Sequence, residues 1–174
     1  MDSRKLIVCV CRGNILRSAV AEKLISQLMS KQGDGVTYQV ISRSIQGTKI
    51  DHKPVRFPNL TYYNEVYPRV KPLLQKLNVD LSNHVSTPID YLVVTKASLI
   101  LAMDNQTKDG LKQLFPFHHH KIYLFTDIIK LNKDIADVPY KTKPTYSLRA
   151  VQEIDDVINL GFNQILSIAK GVKY

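Results

Sequence analysis

Cys11 and Arg17 lie six residues apart in the run VCVCRGNILRS, with Gly13 and Asn14 between them and Ser18 directly after. A cysteine can attack phosphorus as its thiolate, and an arginine can hold two anionic oxygens in its planar fork. Gly13 accepts a positive φ without steric cost, and Asn14 is among the few residues with a side chain that tolerate the left-handed region. Such a pair lets the chain wrap a short arc whose N–H groups point inward, an anion-binding nest. Arg12, Gly13, Asn14, Ile15, Leu16, Arg17 and Ser18 are therefore the candidate phosphate-binding residues around Cys11. Thiols beside an arginine and a helix N-terminus ionise more readily than free cysteine, and the same positive field attracts a phosphate dianion. No Gly-Lys-Ser/Thr follows the run, so a Walker-type phosphate loop is excluded.

A loop of this kind must hang between a strand and a helix. Residues 6–10 form a short apolar run, read as a strand buried on both faces. Val20, Ala21, Leu24, Ile25, Leu28 and Met29 then repeat with a helical period up to the stop signal Gly33-Asp34-Gly35. Further strands are expected over 36–42, 97–103 and 121–125, and helices over 70–77, 105–115 and 146–170. Irregular segments fall at 43–68, a surface excursion rich in proline and tyrosine, and at 132–144. Strands alternating with helices imply an α/β fold: a central, mostly parallel four-stranded sheet with helices on both faces. Ligands of such sheets sit outside the carboxyl ends of the strands, and the loop after the first strand occupies such an end.

The 174 residues, 44% of them hydrophobic, suit one domain spanning 1–174 with its own core. The net charge of +9, from 24 basic and 15 acidic residues, should draw anionic partners. Cys9 and Cys11, the two cysteines, lie two apart in one strand, where a mutual disulfide is sterically disfavoured. A reduced, cytoplasmic protein is expected, since the run LIVCV is too short for a signal-peptide core and no segment could span a bilayer. Three consecutive histidines, His118 to His120, cannot all face one ion, so neither a metal nor another cofactor is expected. The basic, aromatic stretch HKPVRFPNLTYYNEVYPRVK has prolines and no periodicity, which mark a loop rather than a nucleic-acid surface.

The segment VCVCRGNILRSAVAEKLI resembles the active-site segment of low-molecular-weight protein tyrosine phosphatases: an apolar strand, C-x-G-N-I-C-R-S, and a helix containing Ala-Glu. The resemblance implies Cys11 as nucleophile, Arg17 as phosphate clamp, Ser18 as a donor easing thiolate departure, and Asn14 as the lock of the loop. It also implies supporting hydrogen bonds from Ser42 and His84, and a structural role at the strand end for Asp104. The family's general acid precedes a proline; here Ile135-Ala136-Asp137 aligns with its Ile-Pro-Asp, making Asp137 the acid with Val138 in the proline's place, and Asp134 the alternative. Leu16 replaces the family's second cysteine, so the usual protective disulfide cannot form, and Cys9 is read as a core residue. The loop SRSIQGTK after the second strand lacks the aromatic that often walls the family's cleft. Members acting on phosphoarginine carry threonine where this chain has Ile15, so the resemblance implies a phosphotyrosine-containing protein as substrate, a phosphocysteine intermediate, and inorganic phosphate as product or inhibitor. Arg12 would add positive charge at the pocket mouth. Two rivals stand beside this reading. One is a phosphate-dependent binding module without turnover, suggested by the missing Asp-Pro; the other is an arsenate reductase, which would need resolving cysteines that are absent after Cys11.

Overall fold

Side chains of the first strand, β1 (Lys5–Cys11), alternate between two cores. Ile7, Cys9 and Cys11 enter one and Val8 and Val10 the other, so an unbroken apolar run is what its double burial requires. The computed structural model describes residues 4–137 and 145–171. In it β2 (Tyr38–Ser44), β3 (Ala97–Ala102) and β4 (Ile122–Leu124) join β1 in an all-parallel sheet of order β2-β1-β3-β4.

The larger core lies under three helices, α1 (Arg17–Gln32), α2 (Tyr67–Lys76) and α5 (Thr145–Lys170), which contribute Val20 and Leu24, Val70 and Leu74, and Ile154 and Ile158. On the opposite face α3 (Tyr91–Lys96) and α4 (Asn105–Leu114) close the smaller core with Val94 and Leu111. Fully buried side chains such as Ile7, Ile25 and Leu99 each contribute about 1.5–3 kcal/mol to stability. Helix α1 stops at Gly33, whose φ of 80° allows its N–H to reach the carbonyls of Met29 and Ser30. Among the described residues no helix is long and apolar enough to cross a membrane.

Three expectations need correction. The second strand starts at Tyr38 rather than 36, because residues Asp34–Val36 close a 3₁₀ turn and leave Val36 83% exposed. Helix α3 has no counterpart in the sequence reading, since six residues capped by Asp90 are too few to show a helical period. The segment 43–68 is irregular but not confined to the surface: Asn59, Leu60 and Val66 are buried. Asn59 anchors it, its Nδ2 donating to the carbonyls of Leu81, Ser82 and His84 at 3.3, 2.7 and 2.7 Å.

The strand order also sets where a ligand can sit. From β1 the chain first moves to one side, to β2, and then crosses to the other side, to β3. The carboxyl ends of β1 and β3 therefore border the topological switch point of the sheet. Cys11 ends β1, Asp104 follows β3, and Met103 N donates to Val10 O at 2.8 Å between them.

Candidate active site

Asn14 is the residue of the loop in the left-handed region, with φ of 52°, and its N–H donates to Cys11 Sγ at 3.2 Å. Gly13 serves a different purpose from the one its type suggests. Its φ is not positive; instead a Cβ there would meet Gln46 Oε1 at 3.2 Å and Val55 at 3.6 Å, so glycine permits neighbouring chain to close over the loop.

The buried side chain of Asn14 then fixes the polarity of everything around Cys11. Its Oδ1 accepts from Thr87 N at 3.1 Å, which settles the orientation of the amide. Its Nδ2 must donate both protons, to Ser18 Oγ at 3.0 Å and to Ser42 Oγ at 2.8 Å. Ser42 passes its own proton to Glu22 Oε2 at 2.6 Å. Ser18 has accepted from Asn14, so its hydroxyl proton is available to Cys11 Sγ, 3.1 Å away. Asn14 is thus the branch point: one arm runs through Ser42 to the Glu22 carboxylate, and the other leaves the Ser18 hydroxyl as a donor aimed at sulfur. His84 completes the support: Nε2 lies 2.8 Å from the Asn14 carbonyl oxygen, an acceptor only, so Nε2 carries a proton. Ser86 Oγ donates to the Gly13 carbonyl at 2.7 Å.

Arg17 is 3% exposed and enters α1 as its first residue. Nη1 donates to Asp104 Oδ2 at 2.6 Å and to the Ile135 carbonyl at 2.9 Å, while Nη2 donates to Asp137 Oδ1 at 2.6 Å. Burial opposes the charge of the guanidinium, but attraction to Cys11, Asp137 and Asp104 outweighs it and raises its pKa, so Arg17 stays protonated. Among the described residues Nε–H and the second Nη2–H have no partner, and such an adjacent pair of donors can grip two oxygens of one anion.

Cys11, Arg12, Gly13, Ile15, Leu16, Arg17 and Asp137 line one cleft of about 220 Å³. Its remaining wall is Gln46, Leu60, Tyr63 and Val66. The aromatic missing from the loop after β2 is therefore supplied from the middle of the 43–68 segment. Tyr63 is held there by its hydroxyl, which donates to Phe57 O at 3.1 Å and accepts from Phe57 N at 3.2 Å. Arg12 stands at the rim, half-exposed, with Nε 3.1 Å from Asp51 Oδ2.

Asp134 points away from this cleft, accepting from Asn105 N and Nδ2 at 2.8 Å each. Val138, Pro139 and Tyr140, which distinguish this loop from the family pattern, lie outside the described residues. Cys9 is fully buried and burial pushes its thiol up, as suits a core residue; both cysteines are free. His119 Nε2 donates to the Lys112 carbonyl, 2.8 Å away, and no group of metal-ligating side chains forms among the described residues.

The sequence reading left out Glu22 as a member of the site and saw Asp104 only as a strand-end residue. Glu22 had a local signal, since it lies four residues after Ser18 on the same helical face, where its neighbours Ala19, Val20 and Ala21 are all apolar. Asp104 had none as a partner of Arg17. It also caps α4, Oδ1 accepting from Thr107 N at 2.7 Å, so one carboxylate fixes both a helix start and the arginine.

A parallel α/β sheet with a loop wrapped round a cysteine, and a buried arginine beside it, at the switch point is the architecture that fold and site define. The chain belongs to the low molecular weight phosphotyrosine protein phosphatase family, whose model matches residues 6–167, and it is a phosphatase on that ground. No curated protein matches it at a significant level. Among solved structures it is similar to a low molecular weight protein tyrosine phosphatase from T. tengcongensis, with TM-score 0.72, 21% identity, and 94% of this chain and 98% of that one covered. It is also similar to Vibrio vulnificus Wzb in complex with benzylphosphonate, with TM-score 0.66, 24% identity and coverage of 97% and 99%. The YwlE arginine phosphatase from Geobacillus stearothermophilus is comparably alike, with TM-score 0.72, 20% identity and 98% of each chain covered.

Proposed function

We propose that the protein hydrolyses phosphotyrosine in protein substrates through a phosphocysteine at Cys11. The observation that carries this reading is the cleft itself, in which Cys11, Arg17 and Asp137 share about 220 Å³ with the apolar and aromatic wall of Leu60, Tyr63 and Val66. In this reading the aryl ring lies against that wall and the phosphate over Cys11.

In the first step the Cys11 thiolate attacks phosphorus in line with the leaving oxygen, forming the S–P bond as the P–O bond breaks. The loop N–H groups and the Nε/Nη2 edge of Arg17 bind the spreading equatorial oxygens, and Asp137 gives its proton to the phenolate. Asp137 accepts from Nη2 of Arg17 in the structure, and this contact keeps its carboxyl at the cleft wall, within reach of the leaving oxygen. In the second step Asp137 takes a proton from water, the oxygen of that water bonds to phosphorus, and the S–P electron pair returns to Cys11. Ser18 donates to the departing sulfur throughout.

A second reading is phosphoarginine hydrolysis, favoured by the arginine phosphatase among the similar structures. Ile15 lines the cleft where phosphoarginine-specific members carry threonine, and its bulk supports the aryl substrate. The test is kcat/KM for peptides differing only in phosphotyrosine or phosphoarginine. The expected preference for phosphotyrosine is about tenfold or more, falling in Ile15→Thr. A preference for phosphoarginine in the unaltered protein sinks the aryl reading. Inorganic phosphate should also slow iodoacetate labelling of Cys11, while Cys9, buried from reagent, stays unlabelled with or without it.

Arg17→Lys keeps the charge and loses the fork. Because two-point contacts tighten as the oxygens spread, kcat should fall by at least about tenfold, or about 1.4 kcal/mol. Near-unchanged turnover removes Arg17 from the transition state. Glu22→Gln tests the Ser42 arm of the network, since an amide can donate to Ser42 and loosen the acceptor that helps hold Asn14 in the loop. One misdirected buried hydrogen bond is worth about 1 kcal/mol, so kcat should drop about fivefold. Unchanged kcat would show that Ser18 keeps its orientation without the carboxylate.

A further inference from the structure

Beside the phosphate cleft lies a second hollow of about 220 Å³, lined in part by Arg12, Ile45, Ile50, Asp51, Lys53 and Thr107. The two hollows share Arg12. We propose that the second one is a subsite for an acidic side chain flanking the phosphorylated residue, so that the enzyme selects phosphotyrosine in acidic sequence. This inference rests on the phosphotyrosine reading and deepens it.

Its floor is built, not incidental. Ile45 is buried and packs on α4 at Gly110, where a Cβ would meet Ile45 Cδ1 at 2.5 Å and Ile50 Cγ2 at 3.4 Å. A glycine inside a helix costs about 1 kcal/mol against alanine, and here it lets the loop after β2 seat on the helix. That loop is closed on itself: Gly47 N donates to Asp51 O at 2.7 Å and Thr48 Oγ1 to Ile45 O at 2.6 Å. Gly47, with φ of 83°, makes the turn.

The charge of the hollow is positive. Asp51 is already occupied by Arg12 Nε and by Lys53 N at 3.3 Å. The two terminal nitrogens of Arg12 and the ammonium of Lys53 have no partner among the described residues. Among the lining residues Arg12 and Lys53 against Asp51 leave one positive charge in excess. A glutamate fits both characters of the hollow, its methylenes against Ile45 and Ile50 and its carboxylate toward Arg12 and Lys53.

The test measures binding to the Cys11→Ser protein, which needs no turnover, using phosphotyrosine peptides that carry Glu, Gln or Lys at each flanking position in turn. At one position the Glu peptide should bind about fivefold tighter than Gln, with the preference shrinking at high salt. Lys53→Glu should reverse the order in favour of Lys, yet leave turnover of p-nitrophenyl phosphate by the otherwise unaltered enzyme unchanged, since that substrate has no flank. Equal binding of all three peptides at every position, or a Glu preference that survives Lys53→Glu, overturns the subsite alone. No binding of any phosphopeptide together with no turnover of p-nitrophenyl phosphate overturns the phosphotyrosine reading and the subsite with it.

Discussion

On the phosphotyrosine reading, Cys11→Ser should abolish hydrolysis of aryl phosphates, a loss on the order of 10⁴-fold or more, because a serine hydroxyl has no base beside it to make it a nucleophile. The neighbours of Sγ are donors: Asn14 N at 3.2 Å and the Ser18 hydroxyl at 3.1 Å. They can stabilise an anion, but they cannot take a proton from Oγ. The same substitution leaves the loop and Arg17 in place, so inorganic phosphate should still bind, as calorimetry would show. Cys9→Ser is the control, since that side chain is fully buried on the same face of β1 two residues earlier. It should retain turnover at whatever cost in stability. Turnover that survives in Cys11→Ser and vanishes in Cys9→Ser would assign the nucleophile wrongly, whereas loss of both turnover and phosphate binding in Cys11→Ser would point to a collapsed loop.

How far the sequence shows this site depends on how its parts are brought together. Cys11, Asn14, Arg17 and Ser18 fall within one strand-loop-helix unit, so their spacing alone implies an anion nest. Ser42 is one strand further on, and the parallel pairing that sets Cys9 against Ser42 carries it to the loop. Asp104 reaches Arg17 because β3 lies on the other side of β1, and no pattern in 97–104 announces that strand order. Tyr63 and Leu60 are harder still. They lie in a segment without periodicity, and among its anchors is the side chain of Asn59, bonded to three carbonyls more than twenty residues later. Gly13 shows the opposite error, a residue correctly singled out for the wrong reason, because close approach and positive φ both select glycine and only coordinates separate them. The sheet and its long helices were legible because buried strands and amphipathic helices write their periods directly into the chain.

Asp137→Asn should slow hydrolysis of phenyl phosphate by about 10²–10⁴-fold, the usual contribution of a positioned general acid, and slow an ester of a very acidic phenol far less. The difference follows from what the proton does, since a poor leaving group carries nearly a full charge in the transition state unless it is protonated. Asparagine keeps an oxygen for Arg17 Nη2, whose contact with Asp137 Oδ1 is 2.6 Å, so the arginine stays in place and the variant isolates the proton. A damaged fold would slow every substrate together, whereas loss of a donor steepens the dependence of rate on leaving-group acidity. Asp134 provides the competing assignment three residues earlier, but its carboxylate is taken up by Asn105 at the start of α4. Asp134→Asn should therefore leave that dependence flat. A steep dependence in Asp134→Asn with wild-type rates in Asp137→Asn would transfer the role to Asp134. A dependence already steep in the unaltered protein and untouched by either substitution would mean that the acid is lost, and that the cleft binds phosphate esters without turning them over efficiently.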